Sequence, residues 1–286
     1  MGQILIVATG GAVRLTASGL GCSTWPQCEP GSFTPEFREA LSLHPYVEFG
    51  NRLVAVLLAL VALVVAVRVW RERDRARSLR ILALVPLAGV LAQAVIGGLS
   101  VLASLHAAVV GSHMLVSLAL VAASTVLLER YTGGDAPRRP VVRPGLRALA
   151  RALALVSVPV LTLGVVTTGA GPHSGDEELG YRFAVDPFLM ARVHSAAVWV
   201  FVALLVALLV ANRRGSVRLQ RRLALLALAT GAQALIGYIQ LFTGLPEVLV
   251  GAHVLGAALL TAATTYTYLG LRSPGPPAFP EVGGRA

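Results

Sequence analysis

The segment AQAVIGGLSVLASLHAAVVGSH, residues 92–113, recurs later in the chain as AQALIGYIQLFTGLPEVLVGAH, residues 232–253. The two copies align without a gap, and the alignment places His113 on His253. The similarity continues beyond both histidines, and the segments that open the two halves also correspond loosely. A duplication of this length predicts two similar folded units in tandem.

The composition indicates a membrane protein, because 56% of the 286 residues are hydrophobic and only 13% are charged. An apolar segment at the start is shorter than the roughly 20 residues that a spanning helix needs. We therefore expect the natural start to lie upstream, so that this chain begins inside its first helix. Seven further runs are long enough to cross a bilayer: 51–70, 81–102, 106–128, 149–169, 190–211, 222–243 and 246–270.

These eight spans predict an all-α integral membrane protein built as two tandem four-helix bundles. An even number of spans in each unit gives both copies the same orientation, so a pseudo-two-fold axis along the membrane normal relates them. The predicted boundaries are a first repeat at 1–130, a linker at 131–148, a second repeat at 149–270 and a disordered tail at 271–286.

The charges alternate in sign along the connections between the spans. The connections at 68–80, 129–151 and 212–222 are rich in arginine, whereas those at 17–48 and 170–189 are rich in carboxylates. By the positive-inside rule, the arginine-rich connections and both termini are cytoplasmic in a cell membrane. The net charge of +10 is therefore interpreted as a topology signal and not as a nucleic-acid surface.

Cys22 and Cys28 lie together in the first acidic connection. This assignment places them outside, where the compartment is oxidising and a disulfide persists. We expect a disulfide between them, with two free thiols as the alternative.

Histidines occupy matched positions in the duplicated spans. His113 and His253 lie in the fourth and eighth spans, and the sixth contributes His194, whose counterpart in the second span is Asn51. Two neutral imidazoles on facing helices of a bundle are suited to bind a haem iron between them. The alternative is that each histidine only forms a hydrogen bond to a carbonyl or a water on a neighbouring helix.

The other polar residues near these spans have simpler interpretations. His106 is expected at the membrane interface, and His44 and His173 are expected to be solvated in outer connections. Gln93 and Gln233 recur in the duplicated helices, where they either hold helices together or contact a ligand.

Glu48 precedes Asn51 by three residues, so both side chains share one face of the second helix. A carboxylate at a helix start interacts favourably with the helix dipole. The functional alternative is that Glu48 donates or accepts a proton beside a reacting ligand.

The stretches GGAVRLTASGLGCSTWPQC (10–28) and VEFGNRL (47–53), with the histidine-bearing helices, resemble the haem A synthase family along nearly the whole chain. The resemblance implies an eight-helix membrane oxidoreductase that oxidises the C8 methyl group of haem O to a formyl group through hydroxylated intermediates. Cys22 and Cys28 match a loop cysteine pair found in one subgroup of that family.

The resemblance also implies roles for the residues of each half. His194 and His253 would be the axial ligands of a haem b, and His113 would be a ligand to the iron of the substrate haem O. Glu48 matches a family glutamate near the substrate and would manage protons. This sequence has Asn51 where many members have a histidine, so the substrate iron would have one strong protein ligand.

Two other functions are compatible with parts of the pattern. A di-haem b-type electron carrier would use the same histidines but would be expected to keep both irons six-coordinate. A repeat-built transporter without haem would use the histidines as polar lining, but it predicts broken helices at midplane. Membrane lipid is the one partner that the sequence implies directly; the electron donor, a docking haem O synthase and a homo-oligomer are left open.

Overall fold

The computed structural model describes residues 1–36, 43–136, 138–173, 175–176 and 181–274. Within them lie eight α-helices: α1 (Gly2–Leu15), α2 (His44–Arg71), α3 (Arg77–Leu102), α4 (Ala107–Thr132), α5 (Pro144–Ala170), α6 (Pro187–Ala211), α7 (Val217–Phe242) and α8 (Glu247–Leu269). Two short strands, β1 (Arg138–Pro140) and β2 (Arg272–Pro274), pair antiparallel.

Seven of the helices in the described part of the chain are long and apolar enough to cross a membrane, and α1 is a shorter apolar helix of 14 residues. Helices suit such sequences because they satisfy every backbone polar group internally, away from water. Large apolar side chains such as Leu57, Val64 and Leu228 are exposed on the outside of the protein, as lipid contact requires. The predicted all-helical multi-pass membrane protein is therefore confirmed.

The helices α2 to α7 are longer than the predicted apolar runs, whereas α8 is slightly shorter. For example, α2 begins at His44 and ends at Arg71, whereas hydropathy predicted 51–70. Hydropathy ends a span where polar residues begin, but the backbone hydrogen bonds continue past that point. Prolines at the first turns of α2, α5 and α6 fit helix starts, where a backbone N–H has no helical partner.

The helices of each half contact one another in a closed ring. In the first half α1 packs on α2, α2 on α3, α3 on α4, and α4 on α1; α5 to α8 repeat this order. The halves meet through α1, α4, α5 and α8. Small residues permit the close approach: a Cβ at Gly111 of α4 would lie 2.9 Å from Val165 of α5, and one at Gly251 of α8 would lie 3.1 Å from Leu15 of α1.

The connections gather at two ends of the protein. We call the end that holds the 16–36 segment the cysteine-loop end, where Gly19 N donates to Gly175 O at 2.8 Å. The opposite end, which holds the connections after α2, α4 and α6, is the arginine-rich end. Four charged residues of the predicted acidic connections lie outside the described residues: Arg38, Glu39, Glu177 and Glu178.

The strands β1 and β2 correct two expectations at the arginine-rich end. The linker expected at 131–148 contains β1, and both α4 and α5 extend into it. The tail expected to be disordered from residue 271 begins with β2, because Arg272–Pro274 pair with β1 and Val141 N donates to Leu271 O. The remainder of that tail, 275–286, lies outside the described residues.

Candidate functional site

His194 of α6 and His253 of α8 face each other inside the second half. Their ring centres are 6.5 Å apart, and the ring planes are nearly perpendicular at 83°. His194 Nδ1 is hydrogen-bonded to Val160 O of α5 at 3.0 Å. Because a carbonyl oxygen only accepts, Nδ1 carries the hydrogen, and Nε2 presents a lone pair.

Two glycines make room for these rings. A Cβ at Gly164 would lie 3.1 Å from Cε1 of His194, and a Cβ at Gly237 would lie 3.1 Å from Cε1 of His253. Contacts this close are tighter than ordinary van der Waals packing, so a larger residue would displace the ring. The positions of both imidazoles therefore depend on the absence of a side chain on the neighbouring helix.

His113 of α4 has the same surroundings as His253, as the sequence repeat predicts. A Cβ at Gly97, the counterpart of Gly237, would lie 3.4 Å from Cε1 of His113. Gln93 Nε2 donates to His113 O at 2.9 Å, and Gln233 Nε2 donates to His253 O at 3.0 Å. Both glutamines therefore hold adjacent helices together, which was one of the two interpretations.

Among the described residues, the buried Nδ1 atoms of His113 and His253 have no hydrogen-bond partner. Buried polar atoms are nearly always paired, so each such atom calls for an explanation.

The distance between His194 and His253 can be compared with that of two iron ligands. The ring centres of two imidazoles on opposite sides of one iron lie about 6 Å apart, since each metal–nitrogen bond is about 2 Å long. The separation of His194 and His253 fits this requirement.

Asn51 takes the place of a histidine in the first half, and its side chain is already engaged. Thr9 Oγ1 of α1 donates to Asn51 Oδ1 at 2.7 Å. A Cβ at Gly10, the counterpart of Gly164, would have no atom within 4 Å. The first half is thus more open at this position than the second.

Glu48 is 5% exposed and lies in the first turns of α2. Its Oε2 accepts from Cys22 N at 2.7 Å, and its Oε1 accepts from Arg52 Nη2 at 2.7 Å. Both carboxylate oxygens are therefore occupied by the chain itself, through one backbone donor and one ion pair with the next turn.

The cysteine loop is closed by a disulfide between Cys22 and Cys28, which confirms the predicted pair. Arg52 donates to the carbonyl oxygens of Thr24 at 3.0 Å and Gln27 at 3.1 Å. Trp25 of the same loop packs on Gly98 of α3, where it occupies the space that a Cβ would need. The loop is thus fixed to α2 and α3 beside Glu48.

The three remaining histidines lie at the cysteine-loop end. His44 and His173 are half-buried and hydrogen-bonded, to Ser18 Oγ at 3.0 Å and Leu245 O at 2.9 Å, so the expectation of solvated side chains is wrong. Both sequence positions are polar, and no local pattern reveals that connections pack on one another. His106 is exposed and accepts from Ala108 N at the start of α4.

Sequence reasoning missed two arginines of this end. Arg52 lies four residues after Glu48, a spacing that favours their ion pair, but its other partners are loop carbonyls that no spacing identifies. Arg14 of α1 reaches the other half, where Nε donates to His173 O at 2.6 Å and Nη2 donates to Thr168 O at 2.9 Å. An arginine inside an apolar helix was the available signal, because such a charge needs partners.

The fold and this site define a multi-pass helical membrane protein whose duplicated halves each bury a histidine in their last helix. Residues 1–172, more than half of the chain, match the family model COX15-CtaA, described as cytochrome oxidase assembly protein. The chain therefore belongs to this cytochrome oxidase assembly family.

Curated relatives carry the name heme A synthase. The protein of Lysinibacillus sphaericus is 33% identical over 128 residues, which cover 44% of this chain and 40% of the relative. That of Halalkalibacterium halodurans is 25% identical over 178 residues, 59% of this chain and 55% of the relative. That of Bacillus licheniformis is 28% identical over 169 residues, 58% and 54% respectively. The chain spans about half the length of the curated relatives it matches.

Proposed function

We propose that this chain is a haem A synthase, which oxidises the C8 methyl group of its substrate haem O to a formyl group through hydroxylated intermediates. The observation that carries the proposal is the facing, half-buried pair His194 and His253, combined with the altered pair His113 and Asn51 at the duplicated position. Family membership and the name shared by the relatives support it.

The proposal includes two tandem four-helix bundles related by a pseudo-two-fold axis along the membrane normal. The closed contact ring of each half supports this arrangement, as do the equivalent contacts of Gly111 with α5 and Gly251 with α1. Arg14 and Thr168 are counterparts in the repeat, and they touch each other across the proposed axis. Helices α4 and α8 also pack together, which brings His113 and His253 to the same depth on neighbouring helices.

In the second half, His194 and His253 would be the axial ligands of a haem b. When bound, this group supplies reversible one-electron transfer. The chain contributes the orientation of the ligands: Val160 O fixes the His194 ring, and Gly164 and Gly237 leave both rings their space. The apolar helices around the pair exclude water.

In the first half, His113 would bind the iron of the substrate from one side. Asn51 would take the position opposite, because it is the counterpart of His194; its oxygen accepts a hydrogen bond from Thr9, and it offers no strong nitrogen ligand. Oxygen chemistry at an iron centre needs an open coordination position, so the loss of one histidine suits a reacting site better than a pure electron carrier.

Glu48 would accept and return protons as the methyl group is hydroxylated and the hydrated aldehyde loses water. Arg52 stabilises the carboxylate form and Cys22 N fixes its orientation. Oε2 accepts only the one hydrogen bond from Cys22 N, so it keeps a lone pair on which Glu48 would take up a proton beside the cysteine loop.

We assign the arginine-rich end to the cytoplasm and the cysteine-loop end to the outside of a cell membrane. The clustering of arginines after α2, α4 and α6 supports this orientation through the positive-inside rule. The disulfide supports an oxidising compartment at the opposite end.

The test is to express the full chain in a membrane host that lacks haem A, with and without a haem O synthase, and to separate the extracted haems by chromatography with mass detection. Haem A or its hydroxymethyl precursor should appear only when both proteins are present. The matched control is His113→Ala, which removes the proposed substrate ligand and leaves His194 and His253. Unconverted haem O beside a folded, haem b-loaded protein would instead favour a di-haem electron carrier or an inactive subgroup of the family.

A further inference from the structure

A cavity of about 890 Å³ lies at the arginine-rich end of the second half. Its walls come from the segment that leads into α5, the connection between α6 and α7, and Gly270, which directly follows α8, with β2. Five arginines line it: Arg143, Arg213, Arg214, Arg218 and Arg272. We call it the basic cavity; none of the residues that line it is acidic.

The arginines of the basic cavity have no carboxylate partner within the described part of the chain. The ion-paired acids of this end, Glu72, Glu129 and Asp135, are bound to Arg75 or Arg222, which lie outside the cavity. Five exposed guanidinium groups around one cavity repel one another and create a positive potential. An anion that enters it relieves this repulsion.

The cavity also contains hydrogen-bond donors in fixed positions, which indicates an anionic ligand. It includes the start of α7, where the first backbone N–H groups have no helical acceptor and the helix dipole favours negative charge. Asn212, only 4% exposed, lines the cavity, and its Nδ2 has no hydrogen-bond partner among the described residues. A buried amide donor without an acceptor is a second, independent sign of a missing oxygen ligand.

The connection that carries these donors is braced. Gly215 N donates to Asn212 O at 2.8 Å, and Gln220 Nε2 donates to Arg213 O at 3.0 Å and Gly215 O at 3.2 Å. Ser216 Oγ caps α7 by accepting from Leu219 N. The donors are therefore held in place before any ligand arrives, which reduces the entropy lost on binding.

We propose that the basic cavity binds a phosphate group, supplied by an anionic phospholipid or by free phosphate. Arginine forks pair with phosphate oxygens in a bidentate manner, and the Asn212 amide and the α7 N-terminus complete the donor set. The cavity lies where apolar helices end, and Val141, Val142 and Val210 line it beside the arginines. This mixture of charge and apolar surface is what a phospholipid presents at the headgroup level.

The test uses the purified full chain in detergent micelles and counts bound lipids by native mass spectrometry during titration with phosphatidylglycerol or with phosphatidylcholine of the same acyl chains. One molecule of phosphatidylglycerol should bind with an affinity at least about tenfold higher than that of phosphatidylcholine. A second arm adds inorganic phosphate. If inorganic phosphate displaces phosphatidylglycerol only at millimolar concentration, and the lipid binds far more tightly, the phosphate group comes from the lipid. If inorganic phosphate and phosphatidylglycerol bind with equal affinity, it comes from free phosphate.

The decisive variant is R213Q/R214Q/R218Q, with R71Q/R73Q/R77Q as a control that removes the same charge from the same end outside the basic cavity. The cavity variant should lose phosphatidylglycerol binding by about tenfold or more, and the control should keep it. Asn212→Asp preserves side-chain size but replaces the amide donor with a carboxylate acceptor, so it should also weaken binding. This variant tests the proposal if the triple variant does not fold. Equal affinities in the cavity variants and the control, or no preference for phosphatidylglycerol combined with no phosphate binding, would overturn the proposal.

Discussion

Positions 51 and 194 are counterparts in the duplicated sequence, but they carry an asparagine and a histidine. His194 is oriented by Val160 O and faces a second imidazole, whereas the oxygen of Asn51 is engaged by Thr9. The surrounding glycines differ in the same sense, since a side chain at Gly164 would touch a ring and one at Gly10 would touch nothing within 4 Å. The two halves thus have the same order of helix contacts, but they differ in the side chain at this position and in its surroundings.

Gly164→Ala should weaken haem retention in the second half by several-fold, because the new Cβ would lie 3.1 Å from Cε1 of His194 and push the ring out of position. The measurement is the ratio of haem b to protein after purification, with the absorption spectrum of the bis-histidine iron. Gly10→Ala is the matched control, and it should leave this ratio unchanged. An unaltered ratio in Gly164→Ala would show that the ring has room to move.

Glu48→Ala should keep haem binding but lose haem A or stall at the alcohol, with product reduced about 100-fold or more if Glu48 handles protons. Arg52→Gln separates this role from a structural one. It removes the ion pair and the loop contacts but leaves the carboxylate, so it should keep more activity than Glu48→Ala. The measurement is the haem A yield for equal amounts of protein; a normal yield from Glu48→Ala would end the assignment.

At the scale of the elements, one buried arginine connects three helices at the arginine-rich end. Arg222 of α7 is 2% exposed; its Nη2 donates to Glu129 of α4 at 2.9 Å and its Nη1 donates to Tyr266 O of α8 at 2.5 Å. The guanidinium also stacks on the Tyr266 ring, with 3.6 Å between its carbon and the ring centre. The ion pair between Arg222 and Glu129 joins α4, the last helix of the first half, to α7 of the second half.

Arg222→Met should lower the free energy of unfolding by about 3 kcal/mol, because Glu129 would be left buried without its partner. The measurement is denaturant unfolding in micelles, followed by circular dichroism. The double variant R222M/E129Q removes the stranded charge and should recover part of the loss. A single variant as stable as the original chain would mean that water satisfies Glu129.

The existence of the long helices could be predicted from the sequence because each is an apolar run of membrane-spanning length. Their ends could not, since hydrogen bonds continue into polar residues, as at the start of α2, which lies at His44 and not at the predicted residue 51. The three-residue strands β1 and β2 are too short to show a periodic pattern, so a linker and a tail were expected there. Likewise the histidines were found through the repeat, whereas the contacts of Arg52 with backbone carbonyls of a distant loop could not be predicted.

At the scale of the whole molecule, the two halves are joined at both ends. Arg14 crosses from α1 to the end of α5 and the connection after it at the cysteine-loop end, and Arg222 with Glu129 makes the corresponding connection at the arginine-rich end. Between them, Gly111 and Gly251 let the central helices approach closely. This arrangement predicts that the halves unfold together and not as independent bundles.

The proposed orientation predicts opposite labelling of the two ends by a membrane-impermeant maleimide. Phe33→Cys, at an exposed position of the cysteine-loop end, should react in intact cells. Asp74→Cys, exposed between α2 and α3, should react only after the membrane is permeabilised. The native cysteines do not interfere because they form a disulfide. The reverse labelling pattern would contradict the positive-inside assignment.

The presence of Asn51 where the second half has His194 also affects how fast a bound iron group is released. An iron held between two imidazoles leaves only after both bonds break, so a group bound by His194 and His253 is retained for long periods. A molecule bound by His113 alone is released once a single bond opens. Under the proposed function, the first half therefore exchanges product for new substrate within each turnover, while the second half keeps its haem through many.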